Sequence, residues 1–223
     1  WVRAKRYVPM TLKDLHLVQE VSDRIASTLP ILDRGVEVRY RKASYQGRLS
    51  ATMPAFIDAF NWEVETGRFL SDRDLKQRQA VCVLGQDVVE ETFGEISPLG
   101  YEVKLDGVRH TVVGVMEERV ILFNNWGNQI LVPVTAAQRR LFGSKLINGL
   151  FIHTVEPDET AALVPLIEAT LKREHGRDAE YRIDSGQGIL DEIDHVILIM
   201  KLVTGGVAGI SLVVGGIGIM NIM

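Results

Sequence analysis

Hydrophobic and polar positions change period several times along this chain, and each change marks an element. Leu12, Leu15, Val18, Val21, Ile25 and Leu29 recur every three or four residues, which predicts a helix over Thr11–Leu29 with one apolar stripe. Thr11 and Asp14 form a capping-box pattern, Asp standing in for the usual Glu, and Pro30 ends the stripe. VEVRYRKAS and RLSATM alternate as strands, PAFIDAF reads as a short helix, and ETGRFLSDRD (Glu65–Asp74) as a turn-rich connection. Ala80–Leu84 is a short buried strand, and QDVVEETFG a helix closed by Gly94. Tyr101–Leu105, Asp106-Gly107 and Val108–Met116 predict a hairpin, because Asp-Gly supplies the positive φ angles of a tight turn. After a looser stretch, Glu117–Asn128, come a strand (Gln129–Val132), a short helix (TAAQRRLFG) and an alternating segment (Leu150–Val155). A helix capped by Asp158 and reaching His175, interrupted by Pro165, precedes a last strand at Glu180–Ile183. Strands and helices mixed with hairpins predict an α+β fold with mixed and antiparallel sheets and packed helices.

From Gln187 the pattern changes character. Ile189, Ile193, Val196, Ile197, Met200 and Val203 keep one apolar face, with Asp191, Glu192, Asp194 and His195 between them. From Leu202 to Met223 there is no Asp, Glu, Lys, Arg or His. A hydrocarbon core roughly 30 Å thick needs about 20 such residues as a helix. The expectation is a core domain over residues 1–200 and a transmembrane helix over 202–223, with Gln187–Met223 one continuous helix roughly 55 Å long. The competing reading is a buried core helix. Glycine costs roughly 1 kcal/mol against alanine in a soluble helix, but in lipid it lets backbones approach closely. Gly205, Gly209, Gly215, Gly216 and Gly218 are therefore candidate helix-packing positions, and Ser211 repeats the small-residue spacing with Gly215. Asn221, an amide deep in the apolar run, should face another helix or a cavity.

The composition narrows the function classes. Charged residues make up 24% of the 223, as in a globular protein, and the net charge of −4 argues against a nucleic-acid partner. The single cysteine, Cys82, lies in an apolar run and reads as structural. Trp1 opens the chain without methionine and Met223 closes it inside an apolar run, which reads as a piece of a longer membrane protein. No GxxxxGK[ST] phosphate loop, HExxH pair or GxSxG elbow occurs, and DSGQG around Ser185 is none of these. No catalytic, cofactor or metal residue is therefore expected. His110, His153 and His195 read as structural, and the acidic pairs Asp72/Asp74 and Glu117/Glu118 as solvated charges. Trp126 in NNWGN is either a partner contact or a packed loop side chain.

The C-terminal ISLVVGGIGIMNIM resembles the second membrane helix of MacB-type ABC transporter permeases, which ends on such a GGIGIMNIM motif. AVCVLGQDVVEETFGEISPLG and VPVTAAQRRLFGS are similar to the same family, so the resemblance spans about Leu12–Met223. Pro165 and the Tyr101 region depart from it. The resemblance implies an extracytoplasmic (periplasmic) core domain between two membrane helices. That domain would comprise a porter-like subdomain, similar to those of efflux pumps, and a smaller inserted α/β lobe. It further implies a homodimeric permease in the plasma or inner membrane, in contact with lipid. ATP and Mg would be bound by a nucleotide-binding domain outside this chain, and a periplasmic adaptor and outer-membrane channel are possible partners. Gly47–Asp74 or Glu117–Asn128 would then lie on adaptor- or substrate-facing surfaces. A lipoprotein-release permease and a membrane-tethered sensor or binding domain are the alternatives. A tethered hydrolase lacks its catalytic constellation.

Overall fold

Thr11 and Asp14 cap the first helix, and the helix they start is half as long as its apolar stripe. The computed structural model describes residues 2–4, 9–121, 124–156, 160–183, 197–209 and 211. Strands β1 (Val2–Ala4) and β2 (Met10–Thr11) precede α1 (Leu12–Gln19). The Thr11 hydroxyl accepts from Lys13 N, and the Asp14 carboxylate accepts from Thr11 N at 2.7 Å. The helix stops at Glu20, and the rest of the predicted stripe is strand β3 (Ile25–Ile31). Ser22 breaks the helix by accepting from the Ile25 and Arg24 amides, while β3 gains a full antiparallel ladder. Tertiary pairing overrides the helical period there.

The next strands follow the alternation closely. β4 (Asp33–Tyr40) and β5 (Ala43–Thr52) form a hairpin around Arg41, which has φ 52°. α2 (Phe56–Phe60) is the short helix. The segment expected to be turn-rich instead ends β6 (Val64–Gly67) and starts α3 (Asp72–Gln77). Ser71 and Asp74 make a second capping box there, the same pattern that marked α1. β7 (Val81–Leu84) is buried throughout, and α4 (Gln86–Phe93) ends at Gly94. β8 (Glu102–Leu105) and β9 (Val108–Met116) are joined by Asp106 and Gly107 at φ 46° and 85°, as a tight hairpin turn requires.

The looser stretch carries two short paired strands, β10 (Val120–Ile121) and β11 (Asn124–Asn125). β12 (Gln129–Pro133) leads into α5 (Val134–Ala137), which continues as a π-helical turn, Gln138–Phe142, closed by Gly143. β13 (Leu146–Ile147), β14 (Gly149–Thr154), α6 (Thr160–His175) and β15 (Tyr181–Ile183) complete the folded unit. Pro165 lies inside α6 without ending it. Asp158, the expected cap, and the start of the expected long helix at Gln187 lie outside the described residues.

Two sheets dominate. An open four-stranded sheet, β15-β1-β14-β3, is assembled from both ends of the unit, with α1 and α6 packed together on it. Between β3 and β14 the chain makes a seven-stranded mixed sheet, β6-β9-β7-β12-β5-β4-β8. Strand β8 pairs with both β4 and β9, so six strands close into a small barrel with β6 on its margin. The inserted lobe is thus the larger of the two, not the smaller, because it closes a sheet rather than covering one. Alternation along β7 separates two cores. Cys82 and Leu84 join the barrel cluster with Val38, Leu49 and Leu105, all 0% exposed, whereas Val81 and Val83 join a second cluster outside it. Helix α4 packs on β4, β5 and β9, and its Phe93 stacks on Tyr40 at 4.0 Å. Residues 184–223 form a second unit, described here only as helix over 197–209 and at 211.

Candidate interaction surfaces

The two segments singled out by sequence as partner-facing, Gly47–Asp74 and Glu117–Asn128, meet in one place. Phe56, Phe60, Trp62 and Phe69 come from the first and Trp126 from the second. Trp62 and Trp126 meet edge to face at 5.4 Å, and Phe60 lies 5.6 Å from Trp126. Phe60 also stacks on Phe151 of β14 at 4.7 Å, so this cluster joins the barrel lobe to the open sheet. Polar contacts fix the loop. Trp62 Nε1 donates to Glu117 O at 2.8 Å, and the Arg119 guanidinium donates to the carbonyls of Phe60 and Asn61. A Cβ on Gly85 would stand 2.3 Å from Gly127 O, so only glycine lets α4 begin against this loop. Trp126 is therefore a packed side chain, half-buried between the two lobes.

The buried polar groups are structural. Asp74, 1% exposed, accepts from Arg68 at 2.7 Å and from Ser71 N at 2.8 Å and Ser71 Oγ at 2.7 Å. Burial works to raise its pKa, but the bonds from Arg68 and Ser71 outweigh it and hold the carboxyl below its ordinary value. Asp14, 2% exposed, has His175 Nε2 2.8 Å away from the far end of α6. Asp74 is thus buried and paired, contrary to the solvated role expected of it. His110, 1% exposed on β9, contacts Val108 O through Nδ1, and its Nε2 has no partner among the described residues. Burial pushes its pKa down, the Val108 contact opposes this, and Arg140 adds to the lowering. Cys82 is fully buried and its thiol pKa is pushed up by desolvation, which makes it inert. Among the described residues no group of three His, Cys, Asp or Glu side chains lies together as a metal site.

The expected helix-packing glycines all fall on the second unit, and Gly205 and Gly209 lie in its described part. Gly205 and Gly209 lie in the helix over 197–209, one turn apart, and a Cβ at either would meet nothing within 4 Å. Around them Met200 (64%), Leu202 (67%), Val203 and Val207 are exposed. Gly215, Gly216, Gly218 and Asn221 lie outside the described residues, and among the described residues no helix is long and apolar enough to cross a membrane.

The fold is thus an open α+β sheet with a barrel lobe inserted between its strands. The chain belongs to the family of MacB-like periplasmic core domains, whose model matches residues 2–170; it is the core-domain part of a MacB-type ABC transporter permease. It is similar to the macrolide export ATP-binding/permease protein MacB of Marinobacter nauticus, 30% identical over 99% of this chain and 35% of that protein. It is also similar to the pyoverdine export ATP-binding/permease protein PvdT of Pseudomonas savastanoi pv. phaseolicola, 30% identical over 96% of this chain and 33% of that one. The chain thus spans about a third of the length of these curated relatives. Among solved structures, the periplasmic region of MacB from Actinobacillus actinomycetemcomitans matches in fold with a TM-score of 0.75 at 16% identity, over 86% of this chain and 91% of that one. The extracellular domain of the noncanonic ABC-type transporter YknZ from Gram-positive bacteria matches with a TM-score of 0.71 at 19% identity, over 83% of this chain and 100% of that one.

Proposed function

We propose that this chain is the extracytoplasmic core domain of an ABC-type export permease and that it relays ATP-driven motion across the membrane to move substrate outward. In this reading residues 1–200 are the outer domain and 202–223 begin a transmembrane helix. ATP and Mg belong to a nucleotide-binding domain elsewhere in the transporter. The permease works as a homodimer, with a periplasmic adaptor and outer-membrane channel as partners.

The observation that carries this reading is the exposed apolar helix over 197–209, attached to a domain whose relatives are export ATP-binding/permease proteins. Apolar side chains left so exposed in water call for lipid or another helix. The spacing of Gly205 and Gly209 supports close packing there.

The test breaks the relay. Ile199→Pro in the complete transporter removes a backbone donor and clashes with the preceding turn, costing roughly 3 kcal/mol of helix. ATP turnover should persist while export falls to background. Normal export by this variant at normal expression would sink the reading.

A further inference from the structure

A groove of about 710 Å³ runs between the two lobes, from the start of α1 to the α5–β13 connection. Among the described residues its lining includes Lys13, Arg78, Arg139 and Lys145 and no carboxylate, although the chain as a whole carries a net charge of −4. Among the described residues none of these four cations makes an ion pair. All four are exposed.

The backbone beneath them is fixed. Arg78 closes α3 at φ 51°, its N–H bonded to Asp74 O and Leu75 O, a left-handed conformation uncommon for a side-chain-bearing residue. Arg139 rides on the π-helical turn, an insertion frequent at functional sites. Buried Gln138 donates from Nε2 to Lys145 O at 2.7 Å, which ties the turn to the strand that follows.

We infer that this groove binds an extended acidic segment of a partner polypeptide. Four exposed cations lining one groove, unpaired among the described residues, make it locally positive, and an acidic chain complements that charge. The arrangement does not suit a single compact anion. The amides at the start of α1 are already used: Thr11 N donates to Asp14, and Lys13 N donates to Thr11 Oγ1. The charges come instead from four separate points along the groove, as the carboxylates of an extended acidic chain would match. This inference goes beyond the transport reading and stands or falls separately from it.

The test uses the intact chain in detergent with a fluorescent hexaglutamate peptide, followed by anisotropy at low salt, where exposed charges act at full range. Arg139→Glu with Lys145→Glu should weaken binding at least about tenfold, the effect of 1.4 kcal/mol. Lys42→Glu with Lys104→Glu, two exposed cations elsewhere, should change it less than about twofold. Carbodiimide coupling of the bound peptide should map to Lys13 and Lys145. Equal weakening by both pairs, coupling spread over all lysines, or no binding would each overturn the proposal. So would displacement of the peptide by pyrophosphate or phosphatidylglycerol micelles more efficiently than by unlabelled hexaglutamate.

Discussion

Two largely apolar stretches of this chain meet opposite fates. Along β7, Cys82, Val83 and Leu84 are 0% exposed, because strands flank them on both sides and both faces of the sheet are covered. Along residues 197–209, Ile197, Leu198, Met200, Leu202 and Val207 are all exposed. The first stretch has its partners within the fold, while the second leaves its large apolar side chains exposed. Hydrophobicity alone does not decide whether a segment is buried; the presence of a covering layer does.

One substitution applied to both stretches tests this contrast most strongly. Leu84→Ala should lower unfolding stability by about 2–5 kcal/mol through lost burial and a residual cavity. Leu202→Ala should leave the folding of the core domain within about 0.5 kcal/mol of the parent. Urea melts of both variants in detergent, followed by tryptophan fluorescence, make the comparison. Trp62 and Trp126 sit at the lobe junction and report on that domain.

Buried charge sharpens the contrast within the interior, which accepts an ion only where partners are built around it. Asp74→Asn should cost about 1–3 kcal/mol at neutral pH, since Arg68 and Ser71 lose a charged acceptor. The sign with pH follows from the lowered native pKa. The stabilisation is complete above the unfolded carboxyl value near 4 and is lost as pH falls through the native value. Acid melts of the parent should show that loss, and those of Asp74→Asn should not.

A smaller effect comes from His110, which is buried with no counterion among the described residues. Its native pKa is lowered, so the unfolded chain takes up a proton first. Stability is complete above about pH 6.5 and falls below it, by at most about 1.4 kcal/mol per pH unit. His110→Leu should flatten that slope between pH 6.5 and 5, measured as the denaturation midpoint against pH.

Local rules made much of the fold legible. Asp106-Gly107 located the β8–β9 turn, and Thr11 with Asp14 located the start of α1. The same grammar in Ser71 and Asp74 announces α3, hidden by the breaker residues around it. What sequence missed depends on distant partners. Nothing in IASTLPI shows that it pairs with β14 more than a hundred residues on, so a helical stripe concealed a strand. Nor does anything local show that β8 closes a barrel by pairing both β4 and β9. The interaction surfaces divide the same way. The two partner-facing segments were chosen for their loose pattern, but their meeting at Trp62 and Trp126 is a tertiary fact. The basic groove draws its cations from α1, the end of α3, the π turn and the loop after it, so no sequence window reveals it.

The central claim is that a folded domain stands outside the membrane and the apolar run beyond it enters lipid. Cysteine accessibility tests this directly, because Cys82 is buried and inert and cysteines outside this chain can be replaced by serine. Glu95→Cys, at an exposed site after α4, and Val213→Cys, within the uncharged run, are introduced one at a time into the complete transporter. Cells whose outer layers admit the reagent are then treated with a membrane-impermeant maleimide. The account predicts rapid labelling at position 95 and none at 213 until detergent is added. Labelling at 213 as fast as at 95, or protection of 95 until the cells are lysed, would contradict it.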